Sequence, residues 1–383
     1  MKYFLTIFFL TLSCTVFGQT EYRLQNHSKN KFKYLEIQTQ FGSFMKSEGK
    51  LNDHGLLDHG YGGFILKMGW QPTDPDGWAS KYNYPSYGVG FYSGFLSDAE
   101  VFGNPNAVYG FIRFPISNIG GKNVFAIEPS LGLTYKLNAY DSETNPLNEA
   151  IGARMAVYFN INFGFTYKWT REVDLLYGLD FSHFSNGSTY KPNSGLNLYG
   201  INLGLRYHYN RRQLAEKVDI YSDEVFPTRF KRPGRSAMDL TSGNAISVYL
   251  GGGVAQSDEM AGTGSLREVV SAVIDYDHSF NEMHGISAGV DVFYDNRFVD
   301  RNVSDRWMGA VHGGYAFSFY KFDIRMQVGT YIGGQKGKGM FFMRPALRYH
   351  ISKTVFAQIG LKTLDGGKAD YIEYGIGFKP FSW

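Results

Sequence analysis

RMAVYFNINFGFTYK, Arg154 to Lys168, carries the pattern from which the rest of the chain can be read. Met155, Val157, Phe159, Ile161, Phe163, Phe165 and Tyr167 form one set of alternate positions. Ala156, Tyr158, Asn160, Asn162, Gly164 and Thr166 form the other. Successive side chains of a strand point to opposite faces, so this is a strand with one apolar face and one polar or small face. Phe322 to Ile332 repeats the pattern, with Phe322, Ile324, Met326, Val328 and Ile332 against Asp323, Arg325, Gln327 and Gly329. Phe341 to His350 does so again, with Phe341, Met343, Leu347 and Tyr349 against Arg344, Arg348 and His350. These segments run to roughly 10–14 residues, longer than the usual strand of a soluble sandwich and suited to tilted bilayer-spanning strands. Their polar faces carry opposed charges and Gly, as barrel interiors do.

Composition agrees. Aromatic residues make up 17% of the 383 residues, Gly numbers 46 and charged residues are only 19%, which excludes a disordered chain and suggests many strands. A net charge of +3 does not suggest nucleic acid as a partner. A single cysteine, Cys14, excludes a disulfide scaffold. Residues 1–18 read as a signal peptide: Lys2, the apolar run Tyr3 to Leu12, then Val16-Phe17-Gly18 before the expected cut. A competing reading makes Cys14 a lipidated residue, against which Thr11 stands where such signals favour Leu. No later stretch is long and apolar enough for a spanning helix, so a membrane location requires a closed barrel.

Alternation recurs near 32–44, 60–70, 87–95, 105–116, 123–136, 154–168, 172–185 and 195–210, then near 244–255, 267–278, 284–295, 306–319, 320–332, 339–351, 353–363 and 368–382. The expected fold is all-β, an antiparallel transmembrane barrel of about 14–16 strands; the alternative is an eight-stranded barrel followed by a second small one. An even strand count returns both termini to the periplasm. Residues 19–210 and 244–383 are then two barrel regions, joined by a polar segment 211–243 that lacks alternation and reads as a solvated periplasmic linker. The final strand ends on Trp383, and a terminal aromatic resembles the signal read by the barrel-insertion machinery of Gram-negative outer membranes.

One stretch stands apart: LLYGLDFSHFSNGSTYKPNSGLNLYGINLGLRYHY, Leu175 to Tyr209. Alternation places His183 and Ser185 on the apolar, lipid-facing side of one strand, and Asn197 on the same side of the next. Polar groups facing lipid are costly, and three converge at one end of one hairpin. An imidazole can take the proton of a Ser hydroxyl while a third group holds its tautomer. The plain alternative is polar decoration of a strand end. Asp180 and Glu373, the nearby acids, fall on inward faces. The other histidines lack metal-ligand spacing, and no phosphate loop, zinc pattern or dinucleotide fingerprint appears, so neither metal nor cofactor is expected.

His183-Phe184-Ser185-Asn186-Gly187, then Pro192-Asn193-Ser194-Gly195, then Leu203-Gly204-Leu205-Arg206-Tyr207 resembles the outer-membrane lipid A 3-O-deacylases, also described as acyloxyacyl-hydrolase-like. The resemblance implies an eight-stranded barrel with its catalytic triad on the outer face, hydrolysing the ester-linked acyl chain at the 3-position of lipid A. It implies Ser185 as nucleophile and His183 as general base, with Asn186 and the backbone amides around Gly187 as oxyanion donors. Lipid A in lipopolysaccharide and the outer membrane would be the partners. The chain departs from the family where the triad has Glu: Asn197 can orient an imidazole but cannot stabilise imidazolium by charge. The other function carried forward is a non-catalytic pore or structural barrel that retains a relic site, with inward Arg325, Arg344 and Arg348 suited to an anion-preferring lumen. The second half offers no H-x-S pattern in its final hairpin, Leu361-Lys362-Thr363 and Lys368-Ala369-Asp370.

Overall fold

The computed structural model describes residues 31–46, 50–73, 77–170, 172–210, 239–298, 303–333, 338–365 and 367–383. The signal-peptide reading, and residues 211–238 of the expected linker, lie outside the described residues.

Sixteen strands follow one another: β1 (Lys31–Phe44), β2 (Gly60–Pro72), β3 (Ser86–Leu96), β4 (Gly103–Pro115), β5 (Asn123–Leu137), β6 (Ala156–Lys168), β7 (Val173–Ser185), β8 (Leu196–His208), β9 (Gly243–Ala255), β10 (Arg267–Ser279), β11 (His284–Asp295), β12 (Trp307–Phe319), β13 (Phe322–Ile332), β14 (Phe341–His350), β15 (Val355–Leu364) and β16 (Lys368–Ser382). Each lies within a few residues of its expected position. Among the described residues no helix is long and apolar enough to cross a membrane.

The strands close as two antiparallel barrels of eight, β1–β8 and β9–β16, so the single large barrel gives way to the two-barrel alternative. The reason lies in strand edges. An open edge leaves a row of backbone donors and acceptors without partners, which a lipid environment does not tolerate. β8 finds its partner in β1, in a register running from Tyr34↔His208 to Phe44↔Leu198. β16 closes likewise on β9, from Tyr374↔Gly252 to Ser382↔Ala245 with one irregularity after Phe378. Backbone hydrogen bonds between Trp383 and Asn244 continue that seam to the end of the chain.

Alternation sorts the faces as the sequence suggests. Outside lie Phe163, Leu179, Ile201, Leu203, Leu205, Ile324, Met326 and Val328, all exposed on the barrel walls. Inside, Asn160, Asn162, Asp180, Asn202, Arg206, Arg325 and Arg344 are buried. The interiors are filled with paired charges. Glu36 sits between Lys67 (3.1 Å) and Arg206 (2.8 Å), and Glu128 between Lys67 (2.5 Å) and Arg113 (3.3 Å). In the second barrel His312 bridges Asp275 (2.7 Å) and Asp291 (2.6 Å), and Arg344 reaches Asp291 (2.6 Å) and Glu373 (3.2 Å). Arg325 and Arg348 both reach Asp275, at 3.1 and 3.4 Å. Buried charges persist only when paired in this way, and stripping one partner typically costs about 3–5 kcal/mol. The guanidinium groups that could have suited an anion pathway are therefore held by carboxylates. An eight-stranded barrel has an interior just wide enough for its own side chains. The expected result in planar bilayers is no stepwise ion current; reproducible open-channel steps would show that the interiors are not closed.

The two barrels touch at both ends. At the end holding the β2–β3 and β12–β13 connections, Trp78 packs on Tyr320 (ring centroids 5.1 Å apart), Phe114 meets Phe319 edge-on at 5.4 Å, and Lys81 pairs with Glu282 at 2.5 Å. At the opposite end, the β7–β8 loop meets the β9–β10 loop and the start of β16 through hydrogen bonds that involve residues 188 and 191.

Candidate active site

β7 and β8 carry the polar constellation to the outer wall. Phe184, Leu196 and Leu198 are buried in the core of the first barrel, so their strand neighbours His183, Ser185 and Asn197 point outward by alternation. His183 stands directly opposite Asn197 across the β7–β8 ladder and opposite Phe159 across β6–β7. Cross-strand pairs of this kind lie within easy side-chain reach. His183 Nδ1 and Asn197 Oδ1 are 2.7 Å apart. An amide oxygen can only accept, so Nδ1 carries the proton and Nε2 is left as the basic nitrogen. This is the tautomer a general base needs. Its orienting partner is uncharged.

Ser185 Oγ accepts two hydrogen bonds, from Gly187 N–H (3.1 Å) and from Asn193 Nδ2 (2.8 Å). A hydroxyl has two acceptor sites and one proton, so Ser185 keeps its proton free to donate. Among the described residues no hydrogen bond joins Ser185 to His183 directly; they share a wall, two positions apart on one strand. Although it points outward, Ser185 is only 6% exposed, because its own loop folds back over it. The open display suggested by alternation becomes a roofed site.

That loop, residues 186–195, has a defined internal structure. Asn186 N–H donates to Asn193 Oδ1 at 3.0 Å, fixing the side chain whose amide reaches Ser185. The Asn186 side chain donates to Tyr190 O (2.9 Å) and accepts from Tyr190 N–H (3.4 Å). Asn186, read from sequence as an oxyanion donor, thus turns its amide into the loop, and the side-chain amide beside the hydroxyl is that of Asn193. Asn193 stood in the quoted motif without a role. Its contact with Ser185 needs the loop to reverse, which strand alternation does not report.

Two glycines are required by geometry. Gly187 has φ +63°, and an added Cβ would lie 2.2 Å from Ile372 Cγ1. Gly195 has φ +76°, and an added Cβ would lie 2.8 Å from His183 Cε1. Left-handed backbone strains an L side chain, and here a methyl would also press on the imidazole. Gly195→Ala is therefore expected to displace the His183 ring from Asn197 while the barrel still assembles. A crystal structure of the variant beside heat-dependent gel mobility tests this; an unmoved imidazole would show that His183 tolerates the shift.

The acids set aside on alternation stay inside. Asp180 meets Tyr61 at 3.4 Å and Asn202 at 3.5 Å, and Glu373 meets Ser271 at 2.8 Å, each within its lumen. Neither approaches His183. The final hairpin of the second barrel places Leu361 opposite Ile372 on its outer face, an apolar pair in the last hairpin where the first barrel pairs His183 with Asn197.

Fold and wall together describe an outer-membrane β-barrel with a serine and a histidine on its outward face. The family model described as lipid A 3-O-deacylase (PagL) matches residues 65–206, and the model described as acyloxyacyl hydrolase, C-terminal domain, matches residues 244–383. The chain belongs to this lipid A 3-O-deacylase and acyloxyacyl-hydrolase-like barrel family. No curated relative matches the chain. Among solved structures it is similar to Neisserial surface protein A, at 11% identity over 46% of this chain and 97% of that one, with a TM-score of 0.31. It is also similar to the outer membrane enzyme PagL, at 13% identity over 44% of this chain and 97% of that one, with a TM-score of 0.30. The N-terminal β-barrel domain of Pseudomonas aeruginosa OprF follows at 13% identity over 45% and 97%, with a TM-score of 0.25.

Proposed function

We propose that this chain is an outer-membrane esterase that removes the 3-O-linked acyl chain of lipid A. The observation that carries the reading is the His183 Nδ1–Asn197 Oδ1 contact beside a Ser185 hydroxyl whose proton is uncommitted. Ser185 Oγ attacks the ester carbonyl and His183 Nε2 takes its proton. The Gly187 N–H and the Asn193 amide, which hold Oγ at rest, favour its negative charge as the proton leaves; one of them releases Oγ so that a lone pair can attack, and is then available to the oxyanion that forms on the carbonyl oxygen. Asn186 shapes the loop that presents them. His183 then returns the proton to the departing sugar oxygen, and water repeats the cycle on the acyl-enzyme. Asn197 holds the tautomer throughout.

The substrate class follows from the family and from the wall. Apolar side chains around Ser185, including Val157 and Phe159 on β6, suit an acyl chain arriving within the outer leaflet. The family has an acidic residue where Asn197 stands, and this favours a slow enzyme. Export by a cleaved signal peptide and recognition of the Trp383 strand by the insertion machinery belong to the same proposal. Two measurements on the purified chain test it: reaction with an alkyl fluorophosphonate, with the adduct mapped by peptide mass spectrometry, and mass spectra of lipid A incubated with the chain. Expected are an adduct on Ser185 and loss of one 3-hydroxy fatty acid. No adduct and unchanged lipid A would leave a structural barrel with a relic site.

A further inference from the structure

The nucleophile loop is gripped from two sides. On the side of the first barrel, Ser194 N–H and Gly195 N–H donate to Glu149 O (3.1 Å) and Ala150 O (3.0 Å), which fixes the half of the loop that runs over His183. The other half, which carries the Gly187 donor, is held from the second barrel. Ser188 Oγ donates to Ala369 O at 2.7 Å, and Gln256 N–H donates to Ser188 O at 3.2 Å. Lys191 N–H donates to Gln256 Oε1 at 2.8 Å, and Lys191 Nζ pairs with Asp258 at 2.6 Å. Gln256 is itself buried and anchored, donating to Ser265 O at 3.0 Å. Gly187 lies against Ile372, so the peptide whose N–H reaches Ser185 is packed on one side and pinned one residue later.

We infer that the second barrel is a built-in positioning element for the first: Gln256, the Ala369 carbonyl and Ile372 hold Gly187 and Ser188 so that the Gly187 N–H stays aimed at Ser185. The inference rests on the esterase reading and adds a role for the barrel whose final hairpin lacks the H-x-S pattern. A donor aimed at developing charge contributes only when held still, so loss of its supports acts on the transition state more than on substrate binding. Gln256, Ser188 and Ile372 are positioning residues, since none of them touches the reacting atoms.

The test uses the full chain. Gln256→Met keeps the volume and removes the acceptor for Lys191 N–H; Ser188→Ala removes the hydroxyl that reaches Ala369. Each is expected to slow fluorophosphonate labelling of Ser185, and kcat for acyl release, by about tenfold with KM within about twofold. Gln256→Glu retains the acceptor and is expected to recover most of the rate. Lys353→Ala, in the β14–β15 turn at the other end of the barrel, serves as a control with wild-type rates. Wild-type rates in both positioning variants overturn the inference, as does a fall seen only in preparations that have lost folded gel mobility. Failure of the esterase reading shows separately, as an unsubstituted chain that neither labels nor releases acyl groups.

Discussion

Ser185→Ala is expected to abolish release of the 3-hydroxy fatty acid, with a loss of at least about 10³-fold, and His183→Ala is expected to match it. In the proposed mechanism the two residues act as one unit. Without the hydroxyl there is no acyl-enzyme, and without Nε2 the hydroxyl proton has no acceptor. The double variant should therefore be little worse than either single one, where independent roles would multiply. Neither change disturbs the core: both side chains face outward, and the buried neighbours Phe184 and Leu196 are untouched. Folded gel mobility should match wild type. Lipid A mass spectra give the result directly. Spectra unchanged between wild type and Ser185→Ala would remove the nucleophile and the mechanism with it. Retained activity in His183→Ala would leave the nucleophile but require another base, and the near acids Asp180 and Glu373 lie inside their lumens.

Asn197→Asp is expected to raise kcat by about 10- to 100-fold. His183 becomes imidazolium when it takes the proton, and Asn197 Oδ1 offers it a dipole at 2.7 Å where a carboxylate would offer a full charge. One to two decades correspond to about 1.4–2.8 kcal/mol, about what a hydrogen bond to a charged group contributes. The substitution keeps the length and the acceptor oxygen, so tautomer and ring orientation are retained. The sign with pH is fixed by the charge. The gain needs His183 neutral at rest beside an ionised carboxylate, so it is present above the ordinary imidazole range of about 6.5 and is lost as pH falls through that range and His183 takes a proton before the reaction begins. Asn197→Ala should go the other way, by about tenfold or more, since the imidazole then loses its orienting partner. Kinetics of wild type and both variants across pH decide the matter. A rate unmoved by Asn197→Asp would show that proton transfer to His183 does not limit turnover.

Strand positions and faces were legible because alternation is a local property. Arg154 to Lys168 displays it without reference to any partner, and β6 emerged with Phe159 and Phe163 outside and Asn160 and Asn162 inside. The outward direction of His183, Ser185 and Asn197 followed from the same rule. The pairing of His183 with Asn197 was close at hand too, since a hairpin brings consecutive strands together.

Closure is a different kind of property. Alternation says which face a residue takes and nothing about which strand lies beside which, so β8 could have continued to β9 as well as returned to β1. Only pairing of every backbone edge, satisfied within each set of eight strands, separates two barrels from one. The roof over Ser185 is likewise tertiary. Asn193 reaches the hydroxyl because the loop reverses, and Gln256, Ala369 and Ile372 reach that loop from distant segments of another barrel. Period-two order thus determined the strands, their faces and the outward serine and histidine. Contacts between residues far apart in the chain decided the closure and the loop's support, because such contacts depend on distances in space that no local spacing encodes.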